Sequence, residues 1–313
     1  MKIALVFLAA LLAGCVSAPA TVTGSMLSLD VSPDDLFTSG TGKATLDFTN
    51  GGTTPLNNVA MTIYDAGALT AASCLFNIGS VKEGSFISRS CAVTAPDVIE
   101  QDVVTTEVKA RATFEATLSG TASVSAMSED EYRIEQAKGG VLTTSPVYVH
   151  DDRRLKATVS FSDKMPVVKR PDTKLYMYID IANVGAGRIE TIGADAITVS
   201  ESGNFASSAT TTTPASECKS TGGGSVCVKC PDGSYFFGST DITNCASYNA
   251  PAASSLDIKC PAQKLYIQGS VFPRMTCEIT LPADINYLSG YTLILSIDYP
   301  YEIRASHAVQ VRR

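Results

Sequence analysis

The residues best suited to chemistry in this 313-residue chain are its nine cysteines. Thiols join as disulfides in an oxidising compartment, and thiolates at close spacing bind Zn²⁺. Cys74 and Cys91 stand 17 residues apart, and so do Cys260 and Cys277. Each pair is expected to close a disulfide, Cys74–Cys91 and Cys260–Cys277, stabilising by about 3 kcal/mol on the chain-entropy model. Cys218, Cys227, Cys230 and Cys245 lie together in a Ser-, Thr- and Gly-rich stretch too polar to hold a core. Two further disulfides are expected there, with their pairing open. The alternative is one structural zinc on the same four cysteines, Cys227-Val-Lys-Cys230 serving as a knuckle. A redox-active Cys-x-x-Cys does not fit, because Pro231-Asp-Gly233 follows where a helix N-terminus would be needed.

The ninth cysteine sets the compartment. Lys2 precedes an apolar run from Ile3 to Ala13, long enough for a secretory signal and too short to span a bilayer. Leu12-Ala13-Gly14-Cys15 resembles the lipobox of prokaryotic lipoproteins, in which the cysteine is lipidated and becomes the mature N-terminus. Val16 to Gly24 then reads as a flexible tether. The resemblance implies lipid attachment at Cys15, a membrane partner through that lipid, and a body in the cell envelope, on the outer face of the cytoplasmic membrane or the cell surface.

Few other residues point to chemistry. Two histidines leave little room for His-based catalysis or His-rich metal sites. The net charge of -7 excludes a non-specific nucleic-acid binder, which needs clustered Lys and Arg. His150-Asp151-Asp152-Arg153-Arg154 is the densest charged cluster and reads as a solvated turn, while His307 reads as a surface or semi-buried strand residue. Hydrolase, phosphate-loop and dinucleotide motifs are absent from the sequence.

What positions these residues is an internal repeat. The pattern Cys-x-[Val/Ile]-Thr-x-Pro occurs at Cys91–Pro96 and Cys277–Pro282, 186 residues apart, as do the paired cysteines. Leu46-Asp-Phe-Thr-Asn50-Gly-Gly52 resembles Ile179-Asp-Ile-Ala-Asn183-Val-Gly185 at a spacing of 133. The second copy therefore carries an insertion between its Asn-x-Gly turn and Cys260, about residues 203–255. Lys43–Thr49, Lys174–Ile181 and Tyr291–Asp298 read as strands, rich in β-branched and aromatic residues. The Asn-Gly stretches are expected to supply positive φ for tight turns. Ser128-Glu-Asp-Glu131 reads as a capping box opening a short helix that Gly139 ends.

Strand, Asn-x-Gly, strand, paired cysteines and Thr-x-Pro together resemble the immunoglobulin-like (CARDB-like) sandwich modules of archaeal and bacterial surface proteins. The Ser-Glu-Asp-Glu-Tyr helix between copies is similar to two-module envelope proteins of archaea. The expected organisation is all-β: signal peptide 1–14, lipid-anchored tether 15–25, sandwich 26–127, connector helix 128–140, and sandwich 141–313 with the Cys-rich insertion. The expected role is non-enzymatic and free of cofactors: structure, adhesion or interaction with a protein or cell-surface glycan. A solute-binding lipoprotein for a sugar or metal is the alternative, and an envelope enzyme the second.

Overall fold

Alternating burial along most of the chain produces a protein built almost wholly of strands. The computed structural model describes residues 24–313 apart from 142, 171–172, 203–225, 228–235, 238–254, 284 and 286–287, with the backbone alone at 226–227 and 236–237. The first copy contains β1 (Gly24–Ser32), β2 (Asp35–Phe37), β3 (Thr41–Gly51), β4 (Leu56–Asp65), β5 (Thr70–Ala72), β6 (Leu75–Val81), β7 (Phe86–Thr94) and β8 (Val103–Ser128). Helix α1 (Glu129–Lys138) follows. The second copy contains β9 (Tyr148–Asp151), β10 (Leu155–Phe161), β11 (Val167–Lys169), β12 (Lys174–Asn183), β13 (Thr191–Ile192) and β14 (Ile197–Ser202). It continues with β15 (Val226–Cys227), β16 (Phe236–Phe237), β17 (Asp257–Lys259), β18 (Leu265–Tyr266), β19 (Met275–Thr280) and β20 (Ser289–Arg312).

The repeat is visible in the pairing register. In the first copy β3 pairs with β7 so that Ala44 faces Cys91; in the second β12 pairs with β19 so that Met177 faces Cys277. Those residues are separated by the same 133 and 186 positions as the sequence motifs. The Asn50 amide donates to the Ser85 carbonyl at 3.0 Å, and the Asn183 amide to the Ser270 carbonyl at 2.8 Å. Gly84 and Gly269, one residue earlier, both hold positive φ, where a side chain would be strained. Disulfides Cys74–Cys91 and Cys260–Cys277 are both formed.

Two sandwiches result. One outer sheet has the order β1-β3-β7-β5, the other β17-β19-β12-β10-β9. Both share a single central sheet, β14-β20-β8-β4-β6. Its two middle strands are 26 and 24 residues long and pair antiparallel from Val103↔Arg312 to Ala126↔Ser289. At about 3.3 Å per residue the ladder runs some 80 Å.

This corrects the expected boundaries. Residues 116–128 run into the second sandwich and 301–312 into the first, so each copy extends its last strand into the other. The short edge strands respect the exchange: β2 lies parallel to the end of β20, and β11 parallel to the end of β8. The cause is the uninterrupted alternation of β8, whose inward residues include Ala110, Ala112, Phe114, Ala116, Leu118, Ala122, Val124 and Ala126. Small residues on β8 leave room beside the bulky inward row of β20, Leu293, Leu295, Ile297, Tyr299, Tyr301 and Ile303. One hydrophobic cluster runs through both halves.

Helix α1 carries the chain from β8 to β9, capped by Ser128 Oγ accepting from the Glu131 amide at 3.2 Å. None of its residues is buried, so the rigid link between halves is the ladder. Gly24 and Ser25, expected in the tether, lie in β1 and are buried.

Candidate functional site

The exchange brings polar residues together where one sandwich passes into the other. Arg154 ends the turn between β9 and β10 and is fully buried, as is Asp152 two residues earlier. The Arg154 guanidinium meets Asp152 Oδ2 at 3.2 Å and donates to Ser25 Oγ at 3.1 Å, Asn50 Oδ1 at 3.2 Å and Thr54 Oγ1 at 3.0 Å. Phe114 lies under it, ring centre 5.8 Å from the guanidinium carbon. The Tyr299 hydroxyl donates to Asp152 Oδ2, and the Gly187 amide donates to the Tyr301 hydroxyl at 2.8 Å. Burial, then the Asp152 charge, pushes the Tyr299 phenol far above its ordinary pKa; burial raises Tyr301 as well.

The expected turn is present and Asp151 and Arg153 are exposed, but Asp152 and Arg154 are buried where a solvated turn was expected. The sequence placed the charges correctly but not their surroundings. A buried guanidinium is tolerable only with its donors matched, and here four side chains supply acceptors. Three of those, Ser25, Asn50 and Thr54, come from the first copy. The network is therefore a clamp between halves.

The Asn-Gly turns also work differently from expectation. None of Asn50, Gly51, Gly52, Asn183 and Gly185 has positive φ. Instead the Asn50 amide group donates to the Thr54 and Val81 carbonyls, and Asn183 donates to Gly187 at 2.8 Å. The glycines are small because a Cβ on Gly52 would stand 2.5 Å from the Arg154 guanidinium, while one on Gly185 would strike the Tyr301 hydroxyl.

Over this junction, on the outer face of the central sheet, lies a groove of about 480 Å³ lined by Asn57, Glu115, Thr117, Ala196, Asp298 and Tyr299. Its carboxylates are partly engaged: Thr117 Oγ1 donates to Asp298 and Asn58 Nδ2 to Glu115, at 2.5 and 2.7 Å. A smaller groove of about 230 Å³ adjoins it, with Arg188, Glu190 and Glu302 on its walls. The arrangement suits hydrogen bonding to a polar molecule. Among the described residues it brings together no nucleophile, base and orienting group.

The four cysteines of the repeated pairs are placed as disulfides. Cys15, Cys218, Cys230 and Cys245 lie outside the described residues, and of Cys227 the backbone alone is described, in the antiparallel pair β15–β16. The choice between disulfides and a zinc site therefore lies outside them too. His307, in β20, has Nε2 3.0 Å from Asp34 Oδ1 and is semi-buried. Among the described residues no helix is long and apolar enough to cross a membrane. Reasoning from sequence missed Arg154, Asp152 and Tyr299 as one unit, since its members are up to 147 positions apart. Compared with models of known protein families and with curated proteins, the chain matches none.

Proposed function

We propose that the protein is a lipid-anchored extracytoplasmic surface protein with a structural, adhesive or protein-interaction role, of the kind formed by paired immunoglobulin-like (CARDB-like) modules. The observation that supports this most is the 24-residue ladder joining two disulfide-stapled sandwiches. A shared sheet leaves no hinge at the junction, and the clamp on Arg154 ties the β9–β10 turn of the second half to β1 and β3 of the first. Such a body is a stiff spacer, suited to holding a contact surface away from a membrane. Disulfides agree with an oxidising compartment, and the lipobox-like Leu12–Cys15 supplies the anchor.

The test follows the anchor and the partner together. Cells producing the chain are labelled with a radioactive fatty acid and fractionated. The wild type is expected to carry label and sediment with membranes, while Cys15→Ser loses the label and is released. Label on the Cys15→Ser chain, or none on the wild type, contradicts the anchor. Cross-linking on intact cells is then expected to join the wild type to an envelope protein or glycan.

The groove over the junction favours a second reading, a lipoprotein that captures a small polar solute. Tight, saturable binding of one sugar or metal, lost on Glu115→Gln with Asp298→Asn, would replace the structural reading.

A further inference from the structure

Asp30, Asp34 and His307 form a cluster outside the junction and its grooves, drawn from three separate segments. One ligand atom from each lies within 4.8 Å of the other two, and His307 Nε2 stands 3.0 Å from Asp34 Oδ1. Each backbone position is fixed. Asp30 sits in β1 paired to Thr45, and the Asp34 carbonyl accepts from the Gln310 amide at 2.8 Å. His307 sits in β20 paired to Val108. Two ligands on strands and a third in the short turn between β1 and β2, its carbonyl tied to β20, are held near their binding geometry without a large ordering cost.

The charge is unbalanced. Among the described residues neither Asp30 nor Asp34 is ion-paired to a Lys or Arg, and the nearby Arg312 is held by Asp35 at 3.0 Å. Two carboxylates and a neutral imidazole carry a charge of minus two, which one divalent ion neutralises. One imidazole nitrogen with two carboxylate oxygens is a donor set that suits Zn²⁺, a water completing the tetrahedron.

The repeat supplies an internal comparison. By register, Asp30 corresponds to Ser160, since Leu29 faces Leu46 as Val159 faces Ile179. At the 186-residue spacing His307 corresponds to Thr121, and by the pairing of β2 and β11 with the long strands Asp34 corresponds to Lys164. The fold alone does not require these ligands, because the other copy makes the same corner without them.

We propose that Asp30, Asp34 and His307 bind one divalent transition-metal ion, Zn²⁺, and that the ion pins the strand received from the second copy onto the first. It ties β1 and the turn into β2 to the far end of β20. The bond set spans residues 30 to 307, so it closes nearly the whole chain.

Calorimetric titration of the full mature chain with ZnCl₂, after alkylation of any free thiols, is the test. One ion per chain is expected, with a rise in the thermal midpoint. Affinity falls at least tenfold in His307→Ala and in Asp34→Asn, the second being an exposed, shape-conserving change that leaves the fold intact by circular dichroism. With Co²⁺ in place of Zn²⁺ the spectrum lacks a thiolate charge-transfer band. Failure of the wild type to bind, or equal binding by wild type and both variants, overturns the proposal. So does a thiolate band on Co²⁺ as the only metal signal, which would place the ion on cysteines.

Discussion

Arg154 Nη1 lies 3.2 Å from Asn50 Oδ1, so a side chain from the β9–β10 turn of one copy completes the turn at the end of β3 in the other. Asn50 Oδ1 also accepts from the Gly52 amide at 3.1 Å. The relationship has no counterpart across the repeat. Among the described residues Asn183 Oδ1 is buried with no hydrogen-bond partner, from an arginine or any other group. The two-fold plan of the fold is thus clamped from one side.

Replacing Arg154 tests the clamp. In Arg154→Ala the Asp152 carboxylate stays buried without its cation, and Ser25, Asn50 and Thr54 each lose a donor. A loss of about 3–5 kcal/mol in unfolding free energy is expected from denaturant titration, as for other broken buried pairs. A loss below 1 kcal/mol would show that the network does not hold the halves.

The two asparagines should separate under the same assay. Asn50→Ala removes an acceptor from two donors, one of them charged, and is expected to cost about 2–3 kcal/mol. Asn183→Ala removes a donor to Gly187 but also an unpaired oxygen. It should cost at least 1 kcal/mol less. Equal losses would mean that the arginine contact adds nothing.

Alkaline pH provides a third test. A phenol whose pKa is higher folded than unfolded contributes stability that is complete below the unfolded value, near 10, and declines above it. Tyr299 and Tyr301 are both shifted upward. Unfolding free energy should therefore fall above about pH 10, by about 1.4 kcal/mol per pH unit for each such group. Tyr299→Phe should flatten this slope by the share of one proton. An unchanged slope in that variant would contradict the burial of Tyr299.

Glycine substitutions probe the closeness of the junction. Gly52→Ala forces a methyl against the Arg154 guanidinium and is expected to destabilise by about 1–3 kcal/mol. Gly290→Ala, at the open start of β20 with nothing within 4 Å of the added carbon, should be neutral or stabilising by up to about 1 kcal/mol. Thermal melting distinguishes the two.

Much of the fold was legible in the chain. The 17-residue cysteine pairs, the 133- and 186-residue spacings and the Ser128 cap all follow from local chemistry, and each has its place in the structure. The strand exchange was not legible, for two reasons. Pro300 reads as a strand end, since proline usually sits at edges or starts, yet here it lies inside β20 opposite Glu115. On β8, alanines and threonines carry the alternation, and their small side chains weaken the contrast between the two faces. The signal was present in the inward row from Val108 to Ala126. Arg154 was misread because a run of five charged or polar residues looks solvated, and three of its four acceptors stand 100 or more positions away.

The exchange itself is open to one direct measurement. Lys109 in β8 faces Ser306 in β20, within the half of the ladder that the C-terminal strand reaches only by crossing the junction. With cysteines at both positions, directly opposed strand residues come close enough for a disulfide. After mild oxidation, peptide mapping by mass spectrometry of the monomeric Lys109→Cys, Ser306→Cys variant should find the 109–306 cross-link as the main new bond. Free thiols at 109 and 306, or a link found only in dimers, would show that residues 301–312 do not cross into the first sandwich, and the account of a shared sheet would fail.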